Sequence, residues 1–269
     1  MKSLLCFFKR VYGFVLRKVY LIWDSRLRST INVREFGKEI FKIYDFGEVT
    51  RMRANTFEIK EPETIKWIKE FSKKDSLLDI GANIGIYSLF AAYRGVKVFA
   101  IEPDSLNYAL LNLNIRLNNF GENIIPYSLA IHNENKFSKF NISSLEWGGA
   151  HNSFDNTIDY KGKNYNPIHF QGTYGICLDS FLDNVGFIPT HLKIDVDGNE
   201  NLVLKGARHL LLSKTLKSIL IEFDITRKDY KECLSIIEES GFILIEKTHS
   251  SIFDNSPKFC NTFNHIFKR

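Results

Sequence analysis

Asp79-Ile80-Gly81-Ala82-Asn83-Ile84-Gly85 is the stretch that decides how this 269-residue chain is read. It closes a short apolar run, Ser76–Ile80, whose length and flanks predict a buried strand, and it opens onto Ile86–Tyr93, which reads as helix. Gly81 and Gly85 let backbone approach a ligand closely, and Asn83 tolerates a left-handed φ better than most side chains. The helix that follows offers its unpaired N–H groups to whatever sits there. A dinucleotide fingerprint reads G-x-G-x-x-G; here the order is D-x-G-x-N-x-G, with an acid on the strand. That acid disfavours a pyrophosphate and suits a cationic amino-acid ligand.

Outward from the turn, Glu102 closes the next strand 17 positions after Gly85, where a carboxylate can accept both hydroxyls of a ribose. An adenosyl group, an amino acid and a positive charge in one ligand describe S-adenosyl-L-methionine. The wider rhythm agrees with a sheet of that kind. Val96–Ile101 predicts a strand, Pro103–Asn118 a helix and Ile124–Ile131 a third strand. Alternation resumes with strand His191–Ile194, helix Glu200–Leu212, strand Ser218–Phe223, helix Arg227–Ser240, strand Phe242–Glu246 and a last strand near Phe263–Phe267. Such alternation is the pattern of an α/β fold, a mostly parallel sheet with helices on both faces. Residues 132–176 break it with Asn, Gly, Ser and aromatics, which predicts an irregular substrate-side insertion or hairpin.

These segments resemble a known family. Leu78 to Ser88, Ala100-Ile101-Glu102-Pro103-Asp104 with Asn107-Tyr108, and Leu178-Asp179-Ser180-Phe181 are similar to motifs of the FkbM-type class I methyltransferases. The most specific are Leu192-Lys193-Ile194-Asp195-Val196-Asp197-Gly198-Asn199-Glu200 and Leu204-Lys205-Gly206-Ala207, all in family order across about residues 60–267. The resemblance implies a Rossmann-like fold with seven strands in the order 3-2-1-4-5-7-6, the last antiparallel. It implies methyl transfer from S-adenosyl-L-methionine, usually to a hydroxyl of a sugar, glycolipid, polysaccharide or secondary metabolite. Carried over position by position, Asp79, Gly81, Ala82, Asn83 and Gly85 would hold the methionine end, Glu102-Pro103 the ribose, and Ala130 the adenine. Asp195 and Asp197 would follow strand four, Asp195 meeting either the cofactor's amino group or the acceptor. Many members carry Glu and Ala where this chain has Asp197 and Asn199.

Methyl transfer to an alcohol calls for orientation and usually a base, and among the histidines His151, in the Gly- and Asn-rich segment 148–154, is the candidate. His191 reads as structural, and His209 and His249 as surface positions. No metal is expected; Asp195, Asp197, Glu222 and Asp224 are the carboxylates that could converge on Mg²⁺, and the competing reading has them charge helix starts or face solvent. The rival functions are a nicotinamide-dependent oxidoreductase, against which the glycine spacing and Asp79 count, and a scaffold that keeps the fold without turnover.

Charge and composition narrow the partners. Residues 1–28 hold seven Lys or Arg against one Asp, net +6, so the remaining 241 residues carry −1 of the chain's +5. A near-neutral body argues against nucleic acid. At 100° per residue, Leu4, Leu5, Phe8, Val11, Tyr12, Val15, Leu16, Val19, Ile22 and Trp23 share one arc, a basic amphipathic helix suited to an anionic membrane surface or to packing on protein. Its longest uncharged stretches, Ser3–Phe8 and Val11–Leu16, are too short for a span or a signal-peptide core, which points to a cytoplasmic protein. Residues 29–60 read as a cap with strands Glu39–Tyr44 and Thr56–Ile59, and 61–269 as the catalytic domain, opened by a helix from Glu61-Pro62-Glu63 to Phe71. Four dispersed cysteines without a C-x-x-C pair indicate a reducing compartment.

Overall fold

Interior strands of a sheet covered on both faces must be apolar on both, and this chain supplies them in short runs. The computed structural model describes residues 29–159, 161–249, 252, 254, 256 and 259–269; the amphipathic helix read at 1–28 lies outside them. In chain order, a hairpin of β1 (Thr30–Glu35) and β2 (Lys38–Tyr44) leads to helices α1 (Glu48–Asn55), α2 (Phe57–Lys60) and α3 (Pro62–Lys69). Then come β3 (Ser76–Ile80), α4 (Ile86–Tyr93), β4 (Lys97–Ile101), α5 (Ser105–Leu117) and β5 (Ile124–Tyr127). Strands β6 (Ala130–His132), β7 (Lys136–Ile142), β8 (Ser153–Phe154) and β9 (His169–Cys177) precede α6 (Leu178–Val185). The chain finishes with β10 (His191–Ile194), α7 (Glu200–Lys205), α8 (Arg208–Leu212), β11 (Ser218–Asp224), α9 (Tyr230–Glu239), β12 (Ile243–Thr248) and β13 (Thr262–Lys268).

Seven strands make the main sheet in the order β12-β13-β11-β10-β3-β4-β5. From β11 to β5 every pairing is parallel, and β13 runs antiparallel to both its neighbours. Strand alternation splits the core in two. Leu77, Val98, Ala100 and Leu220 join Trp67, Leu89, Phe90 and Leu110 on one face. Leu78, Ile80, Leu192, Ile194, Ile219 and Ile221 join Phe181, Val203, Leu204 and Ile237 on the other. Asp79, Lys193 and Glu222 are charges inside these runs, and the first two are register partners on neighbouring strands.

Three segments differ from the sequence reading. Thr56–Ile59 alternates like a strand but lies at and within α2, because Phe57 packs edge-on against Phe41 and Phe90 in the core. Ile124–Ile131 is two strands: β5 stays in the main sheet, while β6 leaves it to pair with β9. The helix over Glu200–Leu212 breaks at Gly206-Ala207. There a Cβ on Gly206 would stand 2.3 Å from the His132 carbonyl oxygen, and the Asp179 carboxylate accepts the backbone N–H groups of His209 and Leu210 to start α8. Leu178-Asp179 and Lys205-Gly206-Ala207 thus hold one structural joint. Residues 132–176, read as irregular, hold most of a second sheet in the order β6-β9-β7-β8.

The β1–β2 hairpin docks through asparagines of α5. Asn114 Oδ1 accepts from Tyr44 N at 2.9 Å while its Nδ2 donates to Ile84 O at 2.9 Å, and Asn118 accepts from Lys42 N and donates to its carbonyl. This docking brings α1 and α2 to the C-terminal edge of the sheet, beside the glycine turn.

Candidate active site

The turn after β3 is built by close backbone contact. Gly81 N and Ala82 N both donate to Ile101 O at 2.9 Å, and Gly81 has φ 82°. A Cβ there would lie 1.8 Å from Asp195 O, so only glycine fits. Asn83, at φ 52°, donates from its backbone to Glu102 Oε2 at 2.7 Å and from Nδ2 to Gly149 O at 2.7 Å. The other Glu102 oxygen accepts from Asp104 N at 2.8 Å. Burial, with the nearby Asp104 charge adding to it, pushes the Glu102 carboxyl up to about 8. Gly85 lines neither the main cavity nor its adjoining cleft; its bare Cα makes room for Leu111, whose Cδ1 a Cβ would meet at 2.4 Å.

A cavity of about 450 Å³ opens beside this turn. Gly81, Asn83, Glu102, Pro103, Ala130, His151, Asp195 and Asp197 line it together, so most of the sequence-derived set converges. Leu129, Ile131, Phe140 and Phe154 give the side near Ala130 an apolar wall. Asp79 and Ala82 sit instead in a small adjoining cleft with Tyr87, Lys193 and Asp195.

That cleft holds a charge network that sequence reasoning missed. Lys193 Nζ, 2% exposed at its side chain, donates to Asp195 Oδ2 at 3.0 Å and stands 4.0 Å from Asp79 Oδ1 and 5.3 Å from the Tyr87 ring centre. Burial alone would lower the Lys193 ammonium, but Asp195, Asp79 and Glu61 outweigh it and hold the group above its ordinary range. Burial would likewise raise Asp195, yet Lys193 and Lys60 keep it below the usual carboxylate range. Asp79 is raised by burial, with Lys193 opposing; its Oδ2 accepts from Ser88 and its Oδ1 has no hydrogen-bond partner. Lys60 Nζ pairs with Glu61 at 3.0 Å. One signal could have exposed this network: a charge inside an apolar strand run, as in Leu192-Lys193-Ile194 and Ile221-Glu222-Phe223. Arg53 and Lys60, on helices outside the motifs, carry no such signal.

The acceptor-side candidates meet across distant segments. His151 N donates to Asp197 Oδ2 at 2.6 Å, with His151 Nδ1 3.4 Å from Oδ1, and both residues have left-handed backbones, φ 66° and 54°. Such conformations cost about 1–3 kcal/mol each and persist where the surroundings over-determine them. The Gly- and Asn-rich segment around His151 is clamped. Asn107 binds Gly148 N and Gly149 O, Arg53 donates twice to Gly148 O, and Asn152 donates to Asp104 at 3.2 Å. Asp197 binds His151 and not the start of α7, where Glu200, pushed up by burial to about 7, accepts from Gly198 N.

Asp224 accepts from Thr226 N and Oγ1 within its own turn, and among the described residues no group of three or more metal-ligating side chains is assembled. His191 stacks on Phe71 and bonds Ser218 at the opposite end of β10, where burial lowers it to about 4. His209 is exposed, whereas His249 is half-buried against Phe263, not a surface group.

Residues 79–244, more than half of the chain, match the Methyltransferase FkbM domain. The fold is similar to that of the FkbM methyltransferase of Methylobacillus flagellatus KT, at TM-score 0.51 and 18% identity over 79% of this chain and 49% of that one. It is also similar to a Streptococcus mutans protein assigned as an S-adenosylmethionine-dependent methyltransferase, at TM-score 0.50 and 11% identity over 89% and 55%. The chain thus spans about half the length of these relatives. No curated protein matches it in sequence. No helix among the described residues is long and apolar enough to cross a membrane. Its motifs, sheet and glycine turn place the chain in the FkbM family of S-adenosylmethionine-dependent methyltransferases.

Proposed function

We propose that this chain transfers a methyl group from S-adenosyl-L-methionine to a hydroxyl of a sugar, a glycolipid or polysaccharide, or a secondary metabolite. The supporting observation is a single cavity whose walls combine the glycine turn, Glu102 and Ala130 with Asp195, Asp197 and His151. The residues fit the cofactor. Gly81 presents bare backbone to the cavity, the buried Asp79 Oδ1 lacks a hydrogen-bond partner, and Leu129–Ile131 offer an apolar slot beside a ribose-competent carboxylate. Asp79 and Asn83 would hold the amino-acid end, Glu102 the ribose and Ala130 the adenine. When bound, the cofactor supplies an electrophilic methyl on a sulfonium.

On the other wall, Asp195 and the His151–Asp197 pair face the acceptor and fix its hydroxyl, the orientation on which such a transfer depends. The clamped 148–152 segment closes that side of the cavity. Calorimetry with S-adenosylhomocysteine, followed by transfer of labelled methyl into a cell extract, tests the reading. Binding in the micromolar range, about 8 kcal/mol, with label in a glycan or metabolite fraction is expected; binding of NAD with no response to the sulfonium cofactor overturns it. Residues 1–28 would dock such an enzyme on an anionic membrane surface, beside lipid-linked glycans on the cytoplasmic side, each basic residue contributing about 1 kcal/mol. Vesicle flotation that is unchanged when those residues are removed would end that part of the proposal.

A further inference from the structure

β11 carries a carboxyl into the cavity that the motif-derived set leaves without a role. Its run Ile219-Leu220-Ile221-Glu222-Phe223 is apolar apart from Glu222. In the parallel ladder Ile194 lies opposite Ile221, so Asp195 and Glu222 leave adjacent strands at the same height and on the same face, the face that carries Lys193 and Leu220. Both line the cavity. Their surroundings differ. Asp195 is engaged by Lys193 and Asp197 by His151, whereas no hydrogen bond or ion pair engages the Glu222 carboxyl among the described residues.

We propose that Glu222 receives the proton of the acceptor hydroxyl during methyl transfer, while Asp195 and Asp197 stay committed to Lys193 and His151. This rests on the methyl-transfer reading above. The hydroxyl's O–H bond breaks and its proton passes to a Glu222 oxygen. The electron pair of the acceptor oxygen forms the bond to the methyl carbon, and the carbon–sulfur pair stays on sulfur, leaving a neutral thioether. The positive charge lost from sulfur is the proton gained by the carboxylate.

The electrostatics suit that role. Burial first, then the charges of Asp195 and Glu61, raise the Glu222 carboxyl well above the usual range, and Lys60 opposes them. Lys60 and Glu61 face it from the α2–α3 junction, Asp195 and Asp197 from the loop after β10, Arg53 from α1 and His151 from the clamped segment, while β13 presents the uncharged Asn264 opposite. A carboxylate whose proton affinity is raised is a stronger base than an ordinary one. Neighbouring carboxyls pushed apart, Asp195 down and Glu222 up, are the mark of a divided acid–base assignment.

The test uses the full chain, labelled S-adenosylmethionine and a cell extract of soluble and lipid-linked glycans, across pH 5–9. Glu222→Gln should slow transfer by roughly a hundredfold to ten-thousandfold. It should remove the acidic limb of the pH–rate profile and leave S-adenosylhomocysteine affinity within about threefold, with Glu222→Asp recovering part of the rate. A Glu222→Gln protein that transfers at the wild-type rate, or keeps the same acidic limb, overturns the proposal. Should the Gln variant fail to fold, Glu222→Asp decides, because its limb must move and an unmoved midpoint overturns the assignment. A wild-type chain that moves no label defeats methyl transfer itself and this proposal with it, whereas label moved equally by both proteins defeats Glu222 alone.

Discussion

The two halves of the cavity are held together differently. On the cofactor side, Gly81, Asn83 and Glu102 lie within one strand–turn–helix–strand unit, and both oxygens of Glu102 accept backbone N–H groups of that unit and its continuation. On the acceptor side, Arg53, His151, Asp195 and Glu222 come from four separate segments; Arg53 bonds Gly148 O beside His151, and His151 and Asp197, both in left-handed conformations, tie that segment to the loop after β10. The first half is mostly a local backbone device, tied to distant segments by Asn83 Nδ2 to Gly149 O and by the close approach of Gly81 to Asp195 O. The second exists only while the tertiary structure holds it.

Breaking the seam between them has the largest expected effect. Lys193→Met leaves Asp79, Asp195 and Glu61 buried without their shared cation, and should destabilise the fold by about 3–5 kcal/mol in denaturant unfolding. The loss should shrink toward pH 5, because the uncompensated carboxylates can then take up protons. An equal loss at pH 5 and pH 8 would show that the ammonium's packing, not its charge, matters.

Gly81→Ala attacks the local half. A left-handed backbone costs about 1–2 kcal/mol for a residue with a Cβ, and overpacking against Asp195 O about 1–3 more. Unfolding should register a total of about 2–5 kcal/mol, together with lost cofactor binding. A variant that keeps its stability would mean that the β3 turn and the β10 loop separate easily, and the two halves would then be less coupled than the close approach implies.

Glu102→Ala is milder, weakening S-adenosylhomocysteine binding by about 1–3 kcal/mol, the worth of hydrogen bonds to a charged group. The same carboxyl sets a pH dependence. Its pKa is about 8 in the fold against about 4.3 unfolded, so the folded state holds more protons between those values. Its contribution to stability is therefore full below about pH 4.3 and is lost as pH rises through 8. Ligand affinity should run the other way, since ribose hydroxyls donate to the charged form. It should increase with pH by up to about tenfold per unit from pH 6 and level off above 8. Affinity that is flat over this window would separate Glu102 from the ribose.

The sequence by itself determined the strand–turn–helix at 76–93, the alternation behind the parallel sheet and the meeting of Gly81 with Glu102, because these depend on short-range backbone chemistry and on apolar runs that any buried parallel strand requires, whereas the place of Ala130 came from the family resemblance. It could not separate β5 from β6 within Ile124–Ile131, since the apolar run is continuous and the partner strand, β9, lies some forty residues further on. Nor could it show that Thr56–Ile59, alternating like a strand, belongs with a helix, a choice made by the Phe41, Phe57 and Phe90 rings meeting in the core. Only the tertiary structure brought Lys60, Glu61 and Lys193 around Asp195, beside the Glu222 that the strand pattern had already placed near it. The proton affinity of a buried carboxyl depends on which charges lie within a few ångströms, and those charges come from residues up to 162 positions apart.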